Sequence, residues 1–314
     1  MTARGFLVCG CLVSLLCEFV GSHRMVNAAS GNSPLENQEP QRAPARDGSA
    51  TIVDKTPAEL VQAMPELAGL EPAKSQEVLP EILKNVGAKV EDYFHNVVST
   101  SAQEETIQER LGLDGKVEET YKQAFRYLVI AHPEKGPLVF EEYRTDEKSR
   151  TASGPLLRDT LLTEDFVYIP VYLHPVYQEE SDFSYVGQQR VEGHKCHVVA
   201  FAQVPRAAHL WARLTDWFAS YKFLLQGLVW IDPASFQIIR MYTELLPDAT
   251  VGNIKEYTTD VTYGEVRFKG IDVAFWLPRE VVVNLDLGGR KGKFRNYHRY
   301  SHYQLYTSQT KLIY

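Results

Sequence analysis

From Glu104 onward, residues alternate between apolar and polar in one segment after another, and the segments are joined by turns rather than helices. Glu104 to Arg110, Val117 to Ala131 and Leu138 to Thr145 form a first group. Leu113-Asp114-Gly115-Lys116 and His132-Pro133-Glu134-Lys135-Gly136 lie between them as turns. Phe183 to Val191 and Lys195 to Val204 repeat the pattern around Glu192-Gly193-His194. Gln226 to Ile231 and Phe236 to Thr243 repeat it around Asp232-Pro233-Ala234-Ser235. Glu256 to Phe268, Phe275 to Leu285 and Phe294 to Leu305 complete the series. A parallel sheet needs a long crossover, usually a helix, between successive strands, and in this chain helices do not alternate with the strands. The expectation is a strand-rich α+β chain built on one large antiparallel sheet.

Three segments break the period of two. From Ser75 to Val97, apolar residues recur at spacings of three and four, which predicts a helix with Ser75 as N-cap and Pro80 in an early turn. Thr163 to Leu173 is short, very apolar and interrupted by Pro170. Arg206 to Leu225 places Ala207, Leu210, Trp211, Leu214, Trp217, Phe218 and Tyr221 at helical spacing, which predicts a second, aromatic helix.

The N-terminus is expected to be an address rather than structure. Arg4, an apolar run from Phe6 to Val20 and the small residues Ala28, Ala29 and Ser30 follow the order of a secretory signal, giving a signal at 1–29. Residues 30–50 are polar and contain three prolines, so they read as a tether, and 51–314 as a single folded domain. Cys9, Cys11 and Cys17 would leave with the signal. Cys196 would then be alone, and the core rather than disulfides must hold the exported chain. The net charge of −7 excludes nucleic acid as the main partner. No apolar run after the signal reaches the ~20 residues of a spanning helix.

Chemistry is sparse. No nucleophile elbow, zincin helix or phosphate-binding loop is present, and Ser308-Gln-Thr-Lys311 matches S-x-x-K without companion motifs. Adjacent carboxylates such as Glu104-Glu105 point to opposite faces of a strand and make no acid/base pair. His194 and Cys196 share a strand face while His197 points away, and His298 and His302 are too far apart along a strand for one ion. No metal, cofactor or enzymatic activity is expected. Arg290, Lys291, Lys293, Arg295 and Arg299, interleaved with Phe294, Tyr297 and Tyr300, form a basic strand, either a solvated face or a contact for anionic headgroups or an acidic partner.

The run Gly187-Gln-Gln-Arg-Val191-Glu-Gly193, then Cys196-His-Val198-Val199-Ala-Phe201, then Val229-Trp230-Ile231-Asp232-Pro233 leading to Ile239-Arg240-Met241, resembles the outer-membrane lipoprotein-sorting and carrier proteins. These are the LolA/LolB-like, LppX-like and RseB-like half-barrels of bacterial envelopes. Phe275-Trp276-Leu277-Pro278, opening a late strand, is similar to uncharacterised envelope proteins of this type. The resemblance spans roughly Leu79 to Tyr306. It implies a sheet curled into an incomplete barrel with helices over its mouth, in a non-enzymatic periplasmic protein holding a lipid or a lipoprotein acyl chain. Phe166, Tyr168, Tyr172, Trp211, Trp217 and Phe218, in the two apolar inserts, are the candidate ligand contacts. The alternative is an interaction or sensor module for another envelope protein, with a self-filled barrel.

Overall fold

The structure is a computed structural model describing residues 11–14, 50–96, 99–131, 140–145, 161–163, 166–215, 220–250, 254–272, 274–288 and 292–305. Among these, the strands are β1 (Cys11–Ser14), β2 (Glu71–Pro72), β3 (Thr100–Leu111), β4 (Val117–Ala131), β5 (Phe140–Thr145), β6 (Leu161–Thr163) and β7 (Ser181–Val191). They continue as β8 (His194–Gln203), β9 (Ala212–Thr215), β10 (Ser220–Ile231), β11 (Ile238–Thr250), β12 (Glu256–Arg267), β13 (Ala274–Asp286) and β14 (Lys293–Leu305). The α-helices are α1 (Pro57–Ala63) and α2 (Leu79–Asn96), and Phe166–Leu173 forms a 3-10 segment.

Eleven strands lie in the order β2-β7-β8-β10-β11-β12-β13-β14-β3-β4-β5, every adjacent pair antiparallel. The end strands β2 and β5 do not pair with each other, so the barrel is incomplete. The short strands form a side branch, with β9 on β10 and β1 between β9 and β6. Of the segment read as an export signal, only β1 is described.

Local chemistry sets the hairpins. Glu192 and Gly193, at φ 53° and 84°, form the two-residue link between β7 and β8. Positive φ at both positions is what a hairpin twisted to match its strands requires. In the β10–β11 turn, Asp232 Oδ1 accepts from Ala234 N at 3.0 Å, Ser235 N at 2.8 Å and Ser235 Oγ at 2.9 Å, so the side chain holds the turn.

Two expectations need correction. The helix predicted from Ser75 begins at Leu79, so Ser75 is not its cap, and Pro80 occupies the second position. The helix predicted over Arg206 to Leu225 does not form, since this stretch contributes β9 and the start of β10. From Phe223 to Ile231, β10 is buried on both faces and is apolar except for Gln226, which accepts from Ile52 N and donates to Glu244. A run without alternation offers neighbours at three and four residues as readily as at two, and so mimics helical spacing.

The double burial of β8 and β10 comes from two layers. On the outer face, Ile52, Leu60, Met64 and Leu67 pack against Val198, Ala200, Leu228 and Trp230. Trp230 Nε1 donates to Gln189 Oε1 at 2.6 Å, and Gln189 Nε2 donates to the carbonyls of Glu66 and Ala68 at 2.8 and 2.9 Å, tying that layer to the sheet. On the inner face, α2 and the 3-10 segment cover the other side of the same strands. No helix among the described residues is long and apolar enough to cross a membrane.

Candidate functional site

The inner face divides into two halves. Over β8 and β10–β13 it is apolar and aromatic. Ile82, Val86, Val90 and Phe94, spaced by four, form the buried stripe of α2, and Ile169, Val171, Tyr172 and Leu173 descend beside it from the 3-10 segment. The Tyr172 ring lies nearly parallel to Phe201, with centroids 5.6 Å apart, and Phe223 meets Tyr257 at 5.0 Å. Gly227 makes room for this packing, because a Cβ there would come within 2.7 Å of the Phe201 ring and 2.1 Å of the Tyr242 carbonyl. Gln178 Nε2 joins the two parts of the cover through the carbonyls of Leu83, at 3.0 Å, and Leu173, at 2.8 Å. Gln76 clamps the start of the cover to the sheet by bonding both the N–H and the carbonyl of Tyr185. A half-open recess between α2, Pro170 and the sheet, beside Tyr93, Ile238 and Tyr263, has a volume of about 20 Å³. That is roughly one water.

Over β14, β3, β4 and β5 the inner face mixes core residues such as Ala102, Tyr127, Val129 and Phe294 with a buried polar cluster. Glu104, fully buried, accepts from Arg144 Nε at 2.6 Å and from a second guanidinium nitrogen at 2.9 Å. His298 Nδ1 approaches the same carboxylate at 2.8 Å and Tyr300 OH donates to it at 2.9 Å. Register explains the meeting, since Glu104 faces Tyr300 across β3–β14, and β4 carries Tyr127, beneath the Arg144 guanidinium at 5.4 Å. Burial alone would raise the Glu104 carboxyl. Arg144, aided by the His298 bond, outweighs it and holds the group at about 2. Burial also dominates at His298 and pushes the imidazole below its ordinary value, so it stays neutral with its proton on Nδ1 facing the carboxylate. A carboxylate saturated by four donors is a fixed charge, not a general base.

The candidate contacts are scattered by this arrangement. Tyr168 and Tyr172 are buried in the inner core beside α2. Phe166 opens the 3-10 segment, and its side chain lies outside the described residues, as do Trp217 and Phe218 altogether. Trp211 is on the other face of the sheet, packed with Ala202, Leu224 and Leu246, and its Nε1 donates to the Ala208 carbonyl at 3.3 Å.

The described part of the basic strand is paired rather than free. Arg295 contacts Glu109 at 2.6 Å, Lys293 contacts Asp286 at 2.9 Å and Arg299 contacts Glu280 at 3.5 Å, each carboxylate on a neighbouring strand. Arg290 and Lys291 lie outside the described residues. Phe294 and Tyr300 turn inward, away from the cations. His194 faces Asp232 at 3.4 Å, whereas His197 faces Tyr185 OH at 3.0 Å, so the two imidazoles serve different partners. Burial pushes the Cys196 thiol between them up to about 12. An open cleft of about 490 Å³ runs over the outer side of β14, β3 and β4, past Gln103, Glu105, Arg126, His302 and Gln304.

The Glu104 cluster was not foreseen. On β3 the inward positions are Thr100, Ala102, Glu104, Thr106, Gln108 and Arg110, while the two large aliphatic residues, Ile107 and Leu111, lie on the outward face, so alternation does not mark the buried face. The one available signal was on β14, where Phe294, Asn296, His298 and Tyr300 share a face.

No family model matches the chain, and no curated protein matches it. Solved structures do resemble it in fold. One is a domain assigned as an outer membrane lipoprotein-sorting protein from Vibrio parahaemolyticus, 12% identical over 74% of this chain and 95% of that one, with a TM-score of 0.37. Another is a DUF1329 family protein from Desulfovibrio piger, 11% identical over 74% of this chain and 94% of that one, TM-score 0.38. A third is a LolA superfamily protein from Nitrosomonas europaea, 10% identical over 74% and 97%, TM-score 0.30. The likeness extends over 74% of this chain and is one of fold.

Proposed function

We propose that this chain is a non-enzymatic carrier of an apolar ligand, an acyl chain being the simplest, exported to the periplasm by the signal at 1–29 and tethered through 30–50. The observation that carries the reading is the nature of the cover. α2 and the 3-10 segment meet the inner face through side chains such as Val86, Val90, Phe94, Val171 and Leu173. An acyl chain sliding beneath them would exchange one set of apolar contacts for another and strand few hydrogen bonds. Displacing a polar cover would lack this symmetry. On this reading the closed state described here is the empty one, and loading requires the cover to lift. Tyr168 and Tyr172, inside the cover, remain proposed contacts.

Lipid extraction and native mass spectrometry of protein purified from the envelope, with titration of a fluorescent fatty acid, test this directly. Co-purifying lipid and saturable binding are expected. Protein that is clean on extraction and indifferent to the probe would end the carrier reading.

The small recess of about 20 Å³ under the cover favours a second reading. A barrel filled by its own side chains serves equally well as an interaction or sensor module for an envelope protein. A stoichiometric complex with one defined partner, formed by ligand-free protein, would favour it.

A further inference from the structure

The polar half of the inner face holds more than the saturated Glu104. Thr106 and Gln108, on β3, are 1% and 2% exposed. Thr106 Oγ1 and Gln108 Oε1 have no hydrogen-bond partner among the described residues, and neither has Gln123 Oε1 on β4. Register gathers the three, because Thr106 lies directly opposite Gln123, and Gln108 is two residues along the same face of β3. A buried polar atom without a partner has lost its water without gaining a replacement, and so is destabilising. Three in one patch make a costly wall unless something bonds to them.

The patch also adjoins the apolar half. One row across the sheet runs from Val261 through Val281 and His298 to Thr106. At ~4.8 Å per strand, Thr106 is about 14 Å from Val261 along the sheet. Charge narrows what fits. Arg144 is spent on Glu104 and Arg110 reaches Glu119 at 2.6 Å and Glu118 at 3.4 Å, so the cations at this end face carboxylates of their own. An added phosphate or carboxylate would meet the buried charge of Glu104 without a counter-ion. The two amide oxygens accept and cannot donate, and so call for O–H or N–H groups on the ligand.

We propose that the patch formed by Thr106, Gln108 and Gln123 is a headgroup subsite for an uncharged lipid whose head carries hydroxyl or amide N–H donors. This rests on the carrier reading, with the acyl chain beneath α2 and the head against β3 and β4.

Three oleoyl probes separate the possibilities: monoolein, with two free hydroxyls; methyl oleate, with none; and oleate, which is anionic. The full chain should bind monoolein at least about tenfold more tightly than either of the others. Thr106→Val and Gln108→Leu, tested singly, should cut that preference to about twofold or less without weakening methyl oleate. The ligand-free melting temperature should hold or rise in each, since an unpaired group is removed. Equal binding of monoolein and methyl oleate by the unmodified protein would overturn the subsite and leave the carrier reading standing. A preference that survives both substitutions would overturn its assignment to these residues. If none of the three probes binds, the carrier reading itself falls, and the subsite with it.

Discussion

The two halves of the inner face sit on one continuous sheet yet are held by opposite means. Under α2, large apolar surfaces meet, with polar groups at the margins in Gln76 and Gln178. Beside them, β14, β3 and β5 bury a carboxylate, a guanidinium, an imidazole and a phenol in one closed cluster. The first kind of packing tolerates exchange, because apolar contacts are non-directional and one occupant substitutes for another. The second does not, because each donor has one acceptor at one distance, and removing Arg144 or Glu104 leaves the other's buried charge unpaired. On the carrier reading, the apolar half moves while the polar half stays as the fixed frame.

The contrast breaks most visibly at Arg144. Arg144→Met leaves Glu104 buried without its counter-charge and should destabilise by about 3–5 kcal/mol in chemical denaturation. A cost below about 1 kcal/mol would mean that the polar half is not a rigid frame. Leu173→Ala, fully buried in the cover, should cost about 2–5 kcal/mol and fall toward the lower end if the cover collapses onto the void. The same substitution should weaken protection from hydrogen exchange in α2 far more than in β3, and equal loss in both would erase the division.

Acid sharpens the comparison further. The folded His298 stays neutral, while the unfolded imidazole takes a proton below about 6.5. Its contribution is therefore full above that value and is lost as the pH falls. Glu104, held at about 2 against 4.5 when unfolded, contributes above 4.5 and loses its share between 4.5 and 2. Thermal melts should thus fall from pH 7 to pH 5 in the native chain, and the fall should flatten in His298→Gln. An unchanged slope would remove His298 from the account. The smallest effect is expected at Cys196, whose buried thiol should resist alkylation at neutral pH until the protein is unfolded. Rapid labelling of the native protein would show that the outer layer opens too.

Legibility in the sequence follows the same division. Hairpins such as β7–β8 and β12–β13 could be read because their turns and alternation are local, and α2 because its stripe repeats every four residues. The start of β10 was hidden, since burial on both faces from Phe223 removes alternation, while its second half, Gln226 to Ile231, could be read. The polar half was hidden for a deeper reason. Glu104 and His298 are 194 residues apart, and their pairing depends on the register of β3 against β14, which no local pattern states. The candidate contacts fared accordingly. Tyr168 and Tyr172 fall in the inner core, while Trp211, chosen for a helical stripe, faces the other way.

The neighbouring of β3 and β14 also dictates a timetable. The first long strand of the sheet finds one of its two partners only when the last is available, as the 186-residue gap between Arg295 and Glu109 records. Until then β3 and β4 can form a hairpin whose far edge has no mate, with Glu104 lacking both His298 and Tyr300. A chain emerging from its N-terminus must therefore wait for β14 before β3 gains its second neighbour and the charge cluster can assemble. Contacts of such long separation make folding slow and leave edges open to wrong partners in the interval. A chaperone that shields the β3 edge would act in that interval, before β14 arrives.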